Sequence, residues 1–167
     1  MVMLDGSHGK CSGTTVGPHA ILTAEHCLDG AVALLVDGKP VSVKTVYLDH
    51  NDHALAVIDT TFTRWAMTAD DPEQGDEVFI VGNPGDLDDQ YRHGYASGYH
   101  VADNQKWTLY DINGFFGDSG SGIFDSRGFL VGVISIEVSQ AYGDAYVKLM
   151  GSLPLAFTEE QWDLARA

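Results

Sequence analysis

A chain of 167 residues has room for one ordinary domain or two small, tightly joined subdomains, and folding buries about two-thirds of its unfolded surface. Hydrophobic residues at 44% and charged residues at 20% exclude disorder and a coiled coil. The 24 acidic and 9 basic side chains give a net charge of -15, which repels nucleic-acid backbones and anionic membranes, so neither is an expected partner.

Short runs of Val, Ile, Leu, Thr and Tyr separated by Gly, Asp, Asn and Pro predict many short antiparallel strands. In the first half these fall at 14–16, 20–23, 31–36, 41–48 and 54–59, with Asp37-Gly38 as a hairpin turn. The polar, acidic stretch 69–76, broken by Pro72 and Gly75, reads as a linker. Strands resume at 77–81, 95–101, 107–112, 122–124, 129–136 and 145–149, so the two halves are paired barrels or sandwiches. Thr158-Glu159-Glu160-Gln161 has the form of a capping box, and Trp162, Leu164 and Ala165 give the following turns an apolar face, which predicts a short terminal helix.

No window approaches the roughly 20 apolar residues of a membrane span, and residues 1–5 lack the basic and apolar regions of a signal peptide. Met1 reads as a native start, as a start added for expression, or as a residue placed before a segment cut from a longer polyprotein. Cys11 and Cys27 allow one internal disulfide.

Three separated segments carry the groups that acyl transfer needs: a nucleophile, a base, a carboxylate to orient the base, and donors for the oxyanion. In Gly117-Asp118-Ser119-Gly120-Ser121-Gly122, small residues let the chain turn sharply and bring backbone N–H groups near a substrate carbonyl, with Ser119 as nucleophile. The apolar strand 20–23 leads into Ala24-Glu25-His26-Cys27 and sets His26 at a sheet edge as general base. Asn51-Asp52-His53-Ala54-Leu55 puts a carboxylate at the mouth of a buried strand. A hydrogen bond from one ring nitrogen of His26 to Asp52 leaves the other free for Ser119. Asp49 and Asp59 compete for that role, but neither directly precedes an apolar strand.

On these residues the sequence resembles the chymotrypsin-like serine proteases, whose pattern is T-A-x-H-C, then D-x-A-L, then G-D-S-G, here 23–27, 52–55 and 117–120 in the family's order. The resemblance implies an all-β fold of two six-stranded antiparallel β-barrels with a short C-terminal helix. The expected division is an N-terminal barrel over 1–68 carrying His and Asp, a linker over 69–76, a C-terminal barrel over 77–151 carrying Ser, and a terminal helix over 152–167. It puts His26, Asp52 and Ser119 in a catalytic triad and the amides of Gly117 and Ser119 in the oxyanion hole, and implies no cofactor. Cys11, sixteen positions before Cys27, has the family spacing of a bonded pair; the alternative is two free thiols kept reduced in a cytosol. The free apolar amino terminus that pairs with the aspartate before the serine in secreted digestive members has no counterpart, so Asp118 needs another partner.

Compact forms of this kind resemble the proteases of positive-strand RNA viruses, of the arterivirus and sobemovirus groups, and the leading expectation is therefore processing of the protein's own polyprotein precursor in host cytoplasm. Val78-Phe79-Ile80-Val81-Gly82-Asn83-Pro84 instead resembles bacterial heat-shock proteases, which implies a secreted or periplasmic enzyme. For the specificity pocket, matching the family places Asn113 and Gly114 at base and wall, Ser135 and Glu137 along an edge, Tyr146 and Lys148 on the last wall and Asp144 at the floor. Two acids there favour a basic substrate side chain. His50, Asp52 and His53 lack the further Cys or His spacing of a zinc site, so no metal is expected and His50 and His53 read as rim residues. His8, His19, His93 and His100 read as surface or strand residues.

Overall fold

The pattern of short apolar runs becomes two antiparallel sheets laid down one after the other along the chain. The computed structural model describes residues 1–6, 9–28, 34–85, 87–114 and 117–167. The first sheet contains β1 (Val2–Gly6), β2 (Gly9–Thr15), β3 (Ala20–Ala24), β4 (Leu34–Val36), β5 (Lys39–Val41), β6 (Val43–Leu48) and β7 (His53–Ile58), with the one-turn helix α1 (Glu25–Leu28) between β3 and β4. The second contains β8 (Glu77–Gly82), β9 (Gln90–Ala102), β10 (Gln105–Asp111), β11 (Gly122–Asp125), β12 (Leu130–Val133), β13 (Ile136–Tyr142) and β14 (Ala145–Ser152), and α2 (Glu159–Arg166) closes the chain. The strand orders are β5-β4-β1-β2-β3-β7-β6 and β12-β11-β8-β9-β10-β14-β13, each sheet curling into a barrel-like layer of the chymotrypsin type.

Each sheet thus has seven strands, not six. The strands not expected are β1, and β13, which carries Glu137, Ser139 and Gln140 among apolar residues. Ser42 divides the expected strand 41–48 into β5 and β6, and β9 starts at Gln90, five residues earlier than expected. The expected strand 31–36 is seen from Leu34, its first three residues lying outside those described. The 69–76 stretch is tied down. The amide of Ala69 donates to the Leu130 carbonyl (2.9 Å) and that of Gly75 to Ala96 (2.8 Å).

Central strands are apolar on both faces. All of β3 is buried, as is β7 apart from Val57. Leu4, Ile21 and Ile58 centre the first sheet's core, and Ile80, Tyr110 and Ile123 the second's. A third cluster lies between the sheets, where Val16, Leu22 and Leu55 meet Leu130 and Val133, with Phe157 and Ala165 of the C-terminal segment packed on it. Burying such side chains contributes about 1.5–3 kcal/mol each, enough to hold the two layers as one unit. The capping box forms: Thr158 Oγ1 accepts from the Gln161 amide (3.1 Å) and Gln161 Oε1 from the Thr158 amide (2.9 Å). Trp162 stacks edge-on against Phe157 at 5.5 Å, and Arg166 Nε donates to the Val16 carbonyl (2.9 Å), so α2 is seated on the first sheet.

Candidate active site

The seam between the sheets gathers the segments singled out above. At the end of β3 the chain turns directly into α1, and two bonds fix that corner: Thr23 Oγ1 donates to the Ser12 carbonyl (2.8 Å), and Cys27 is disulfide-bonded to Cys11 of β2, with Cα atoms 6.1 Å apart. His26, 47% exposed, therefore projects from a rigid base.

Facing it, the loop before β7 takes a tight path in which His50 and Asp52 have φ of 63° and 61°. Asp52 Oδ2 lies 2.9 Å and Oδ1 3.1 Å from His26 Nδ1, and Oδ1 also accepts the His26 amide (3.1 Å). The Asp52 carbonyl takes the Glu25 amide (2.9 Å). A carboxylate can only accept, so the proton sits on Nδ1 and Nε2 is left as the basic nitrogen. The Asp52 hydrogen bond and charge outweigh partial burial and raise the His26 pKa above its ordinary 6.5.

Ser119 sits half-buried at the start of the second sheet's β11 turn, and its carbonyl reaches across to the first sheet, accepting the Ser12 amide at 2.8 Å. Cys27 Sγ is 3.6 Å from that same carbonyl oxygen, which seats the residue next to His26 against the backbone of Ser119. The loop needs its glycines. At Gly117 (φ 101°) a Cβ would stand 2.0 Å from the Asn83 carbonyl, and at Gly120 (φ 87°) 2.0 Å from the Ser12 carbonyl. The Asp118 carbonyl turns inward to the Ser121 amide (2.9 Å), so the Ser119 N–H across the same trans peptide points outward. The peptide that bears the Gly117 N–H begins in residue 116, outside the described residues, while the Gly117 carbonyl accepts from Ser12 Oγ at 2.9 Å.

Asp118 is fully buried and meets Arg92 of β9 in a fork, Nη1–Oδ2 2.6 Å and Nη2–Oδ1 2.7 Å. Arg92 Nη1 also donates to the Asn113 carbonyl (2.9 Å). Nothing local in sequence links residues 92 and 118, so reading the chain in order missed this partner. The same holds for Ser12, whose Oγ receives both Asn83 N–H groups at 3.2 and 2.8 Å and joins the sheets behind the serine loop.

The pocket residues separate. Pro84, Gly85, Leu87, Gln90, Arg92, Asn113, Gly114 and Lys148 line a cavity of about 550 Å³. Ser135 is buried and its amide donates to the Gly151 carbonyl (3.0 Å). Glu137 lies on exposed β13, 3.8 Å from Lys148 Nζ, and Lys148 also donates to the Gly114 carbonyl. Asp144 departs from its expected place at the floor: Tyr142 pairs with Ala145, which leaves Gly143-Asp144 as the exposed two-residue turn at the hairpin tip. Along a strand that tip is about 13 Å from Lys148, because each residue advances about 3.3 Å. His53 also departs from expectation. It is not on the rim but fully buried, paired with Asp49.

Among the described residues, no group of three His, Cys, Asp or Glu side chains is placed to hold a metal ion, and no helix is long and apolar enough to cross a membrane. The model of the trypsin-like peptidase domain matches residues 11–133 of the chain. No match is found among curated proteins. Among solved structures the chain is similar to the protease Rv3671c in its inactive form, with a TM-score of 0.74 and 16% identity over 99% of this chain and 88% of that one. A serine-to-alanine mutant of Rv3671c from M. tuberculosis H37Rv, also inactive, gives 0.72 and 16% over 92% and 80%. The two layers, the match across β2 to β12 and the shared fold lead to one conclusion: the chain belongs to the trypsin-like peptidase family and is a chymotrypsin-like serine endopeptidase.

Proposed function

We propose that Ser119 is the nucleophile, His26 its general base and Asp52 the carboxylate that orients the histidine. His26 Nε2 takes the proton from Ser119 Oγ as that oxygen attacks the substrate carbonyl. The same proton then goes to the leaving amine, and water repeats the cycle to release the acyl group from Ser119. The outward N–H of Ser119, with that of Gly117, receives the charge that develops on the carbonyl oxygen. The observation that carries the reading is the two-point bond between Asp52 and His26 beside a serine loop whose turn is held by buried charge.

The substrate is a polypeptide, and the net charge of -15 disfavours nucleic acid. Of the two settings expected from the sequence, the secreted or periplasmic bacterial enzyme is the better supported. The structurally similar Rv3671c is a bacterial protease, and a Cys11–Cys27 disulfide persists in oxidising compartments and not in cytoplasm. The test is covalent labelling with an active-site serine reagent: label on the wild type that is lost in Ser119→Ala supports the assignment, and an unlabelled wild type overturns it. Asp52→Asn separately tests the carboxylate, with turnover expected to fall about 10⁴-fold.

A further inference from the structure

The loop that bears Asp52 contains a second histidine–carboxylate pair, which the mechanism above does not use. Asp49 and His53 have fully buried side chains, with His53 Nδ1 2.6 Å from Asp49 Oδ2. Asp49 accepts three further N–H groups: those of Asn51 (2.9 Å) and His53 (3.2 Å) on Oδ1, and that of Ala156 (2.9 Å) on Oδ2. A carboxylate can take four donors at once and an amide cannot. These bonds close the five residues 49–53 on themselves, and within that closure His50 and Asp52 hold a left-handed backbone that non-glycine residues keep only where their surroundings impose it.

The closure has a back wall. Asn51 Nδ2 donates to the Pro154 carbonyl (3.0 Å), so two bonds join the loop to the segment that leads into α2. Phe157, held by Trp162, lies 6.5 Å from the His53 ring, whose Nε2 has no hydrogen-bond partner among the described residues. Burial pushes the Asp49 carboxyl up, but the His53 bond and the Ala156 and Asn51 amides outweigh it and keep it below its ordinary range, ionised at neutral pH.

We propose that the Asp49–His53 pair, closed from behind by the C-terminal segment at Pro154 and Ala156, is the positioning device that holds Asp52 against His26. It rests on the triad reading. Asp49 touches no substrate and acts through the loop: if residues 50–52 relax, Asp52 moves off His26 Nδ1, and misplacement of a reacting group by about 1 Å costs on the order of 100-fold in rate.

The experiment compares Asp49→Asn, His53→Leu, His53→Asn and Asn51→Ala in the full chain. It measures kcat and KM on a peptide across pH, the low-field proton resonance of the His26 Nδ1–H, and the melting temperature. Asp49→Asn and His53→Leu should lower kcat about 10- to 100-fold with KM little changed, remove the resonance and move the acidic limb of the rate profile to lower pH. His53→Asn, whose Nδ2–H replaces Nδ1–H, should restore much of the turnover. Should the first two variants fail to fold, Asn51→Ala, which cuts one tie to Pro154, should still lower kcat several-fold and shift the limb the same way. A fall in melting temperature alone, with resonance and limb in place, overturns the proposal. If Asp52→Asn keeps near-wild-type turnover, the triad reading itself has failed; if it abolishes turnover while all four variants leave the profile unchanged, only the positioning role has.

Discussion

Replacing Arg92 with Leu removes the cation from a carboxylate with no exposed surface while leaving the volume roughly filled. Breaking a buried ion pair by taking one partner costs about 3–5 kcal/mol, because the remaining charge loses its counter-charge in a low-dielectric site. Asp118 adjoins Ser119, so the cheapest relief is local: the turn over 117–120 opens and lets the carboxylate reach water. If the penalty falls on the competent loop at the lower end, about 3 kcal/mol, its population drops by on the order of 100-fold, and kcat/KM with it. The assay is a double-mutant cycle of Arg92→Leu and Asp118→Asn, measuring kcat/KM and urea unfolding. The double variant should recover part of the loss, with a coupling of about 2–3 kcal/mol for groups in direct contact. Additive losses, or an Arg92→Leu enzyme as fast as the wild type, would refute the reasoning.

Other consequences are direct. On the proposed triad, Asp52 raises the His26 pKa and the base must be neutral, so activity should rise with pH through a midpoint above about 6.5, and Asp52→Asn should lower that midpoint in a rate profile. Stability runs the opposite way: the His26 contribution is present below the unfolded-state pKa and fades as pH rises through the raised folded value, which denaturation at several pH values reads out. Asp144→Gly should leave a peptide-library cleavage profile unchanged, since Asp144 is an exposed turn residue; Lys148→Met, which releases Glu137, should instead increase cleavage after Arg or Lys. Replacing both cysteines with serine should cost about 3 kcal/mol, the value for a loop of about 15 residues, measured by thermal unfolding.

The segments with chemistry were legible because each is a run of adjacent residues whose backbone must follow one path: Gly117 and Gly120 are readable in a string of letters because a side chain there would strike the Asn83 and Ser12 carbonyls. Most strands were legible from an apolar face, although β1, with Val2 and Leu4 in the core, was missed. β13 was missed as well, because its Glu137, Ser139 and Gln140 face solvent at a sheet edge. Arg92 as the partner of Asp118, and Ser12 as the tie between sheets, depend on strands brought together across the fold, which no local pattern encodes. Asp144 falls in the turn of one hairpin, and where a hairpin turns decides which of its residues can reach a pocket. His53 reads as polar and therefore exposed; only the placement of Asp49 and the C-terminal segment around it explains why a histidine is tolerated at full burial.

Ser12 has a further consequence. Its amide and hydroxyl hold the carbonyls of Ser119 and Gly117, so the Ser119 loop of one half takes its shape from a strand of the other. Neither half made alone has the groups to finish that turn. On the proposed triad, docking of the halves is then expected to precede cutting ability. Recovery of serine-reagent labelling during refolding is accordingly a clock for that docking step.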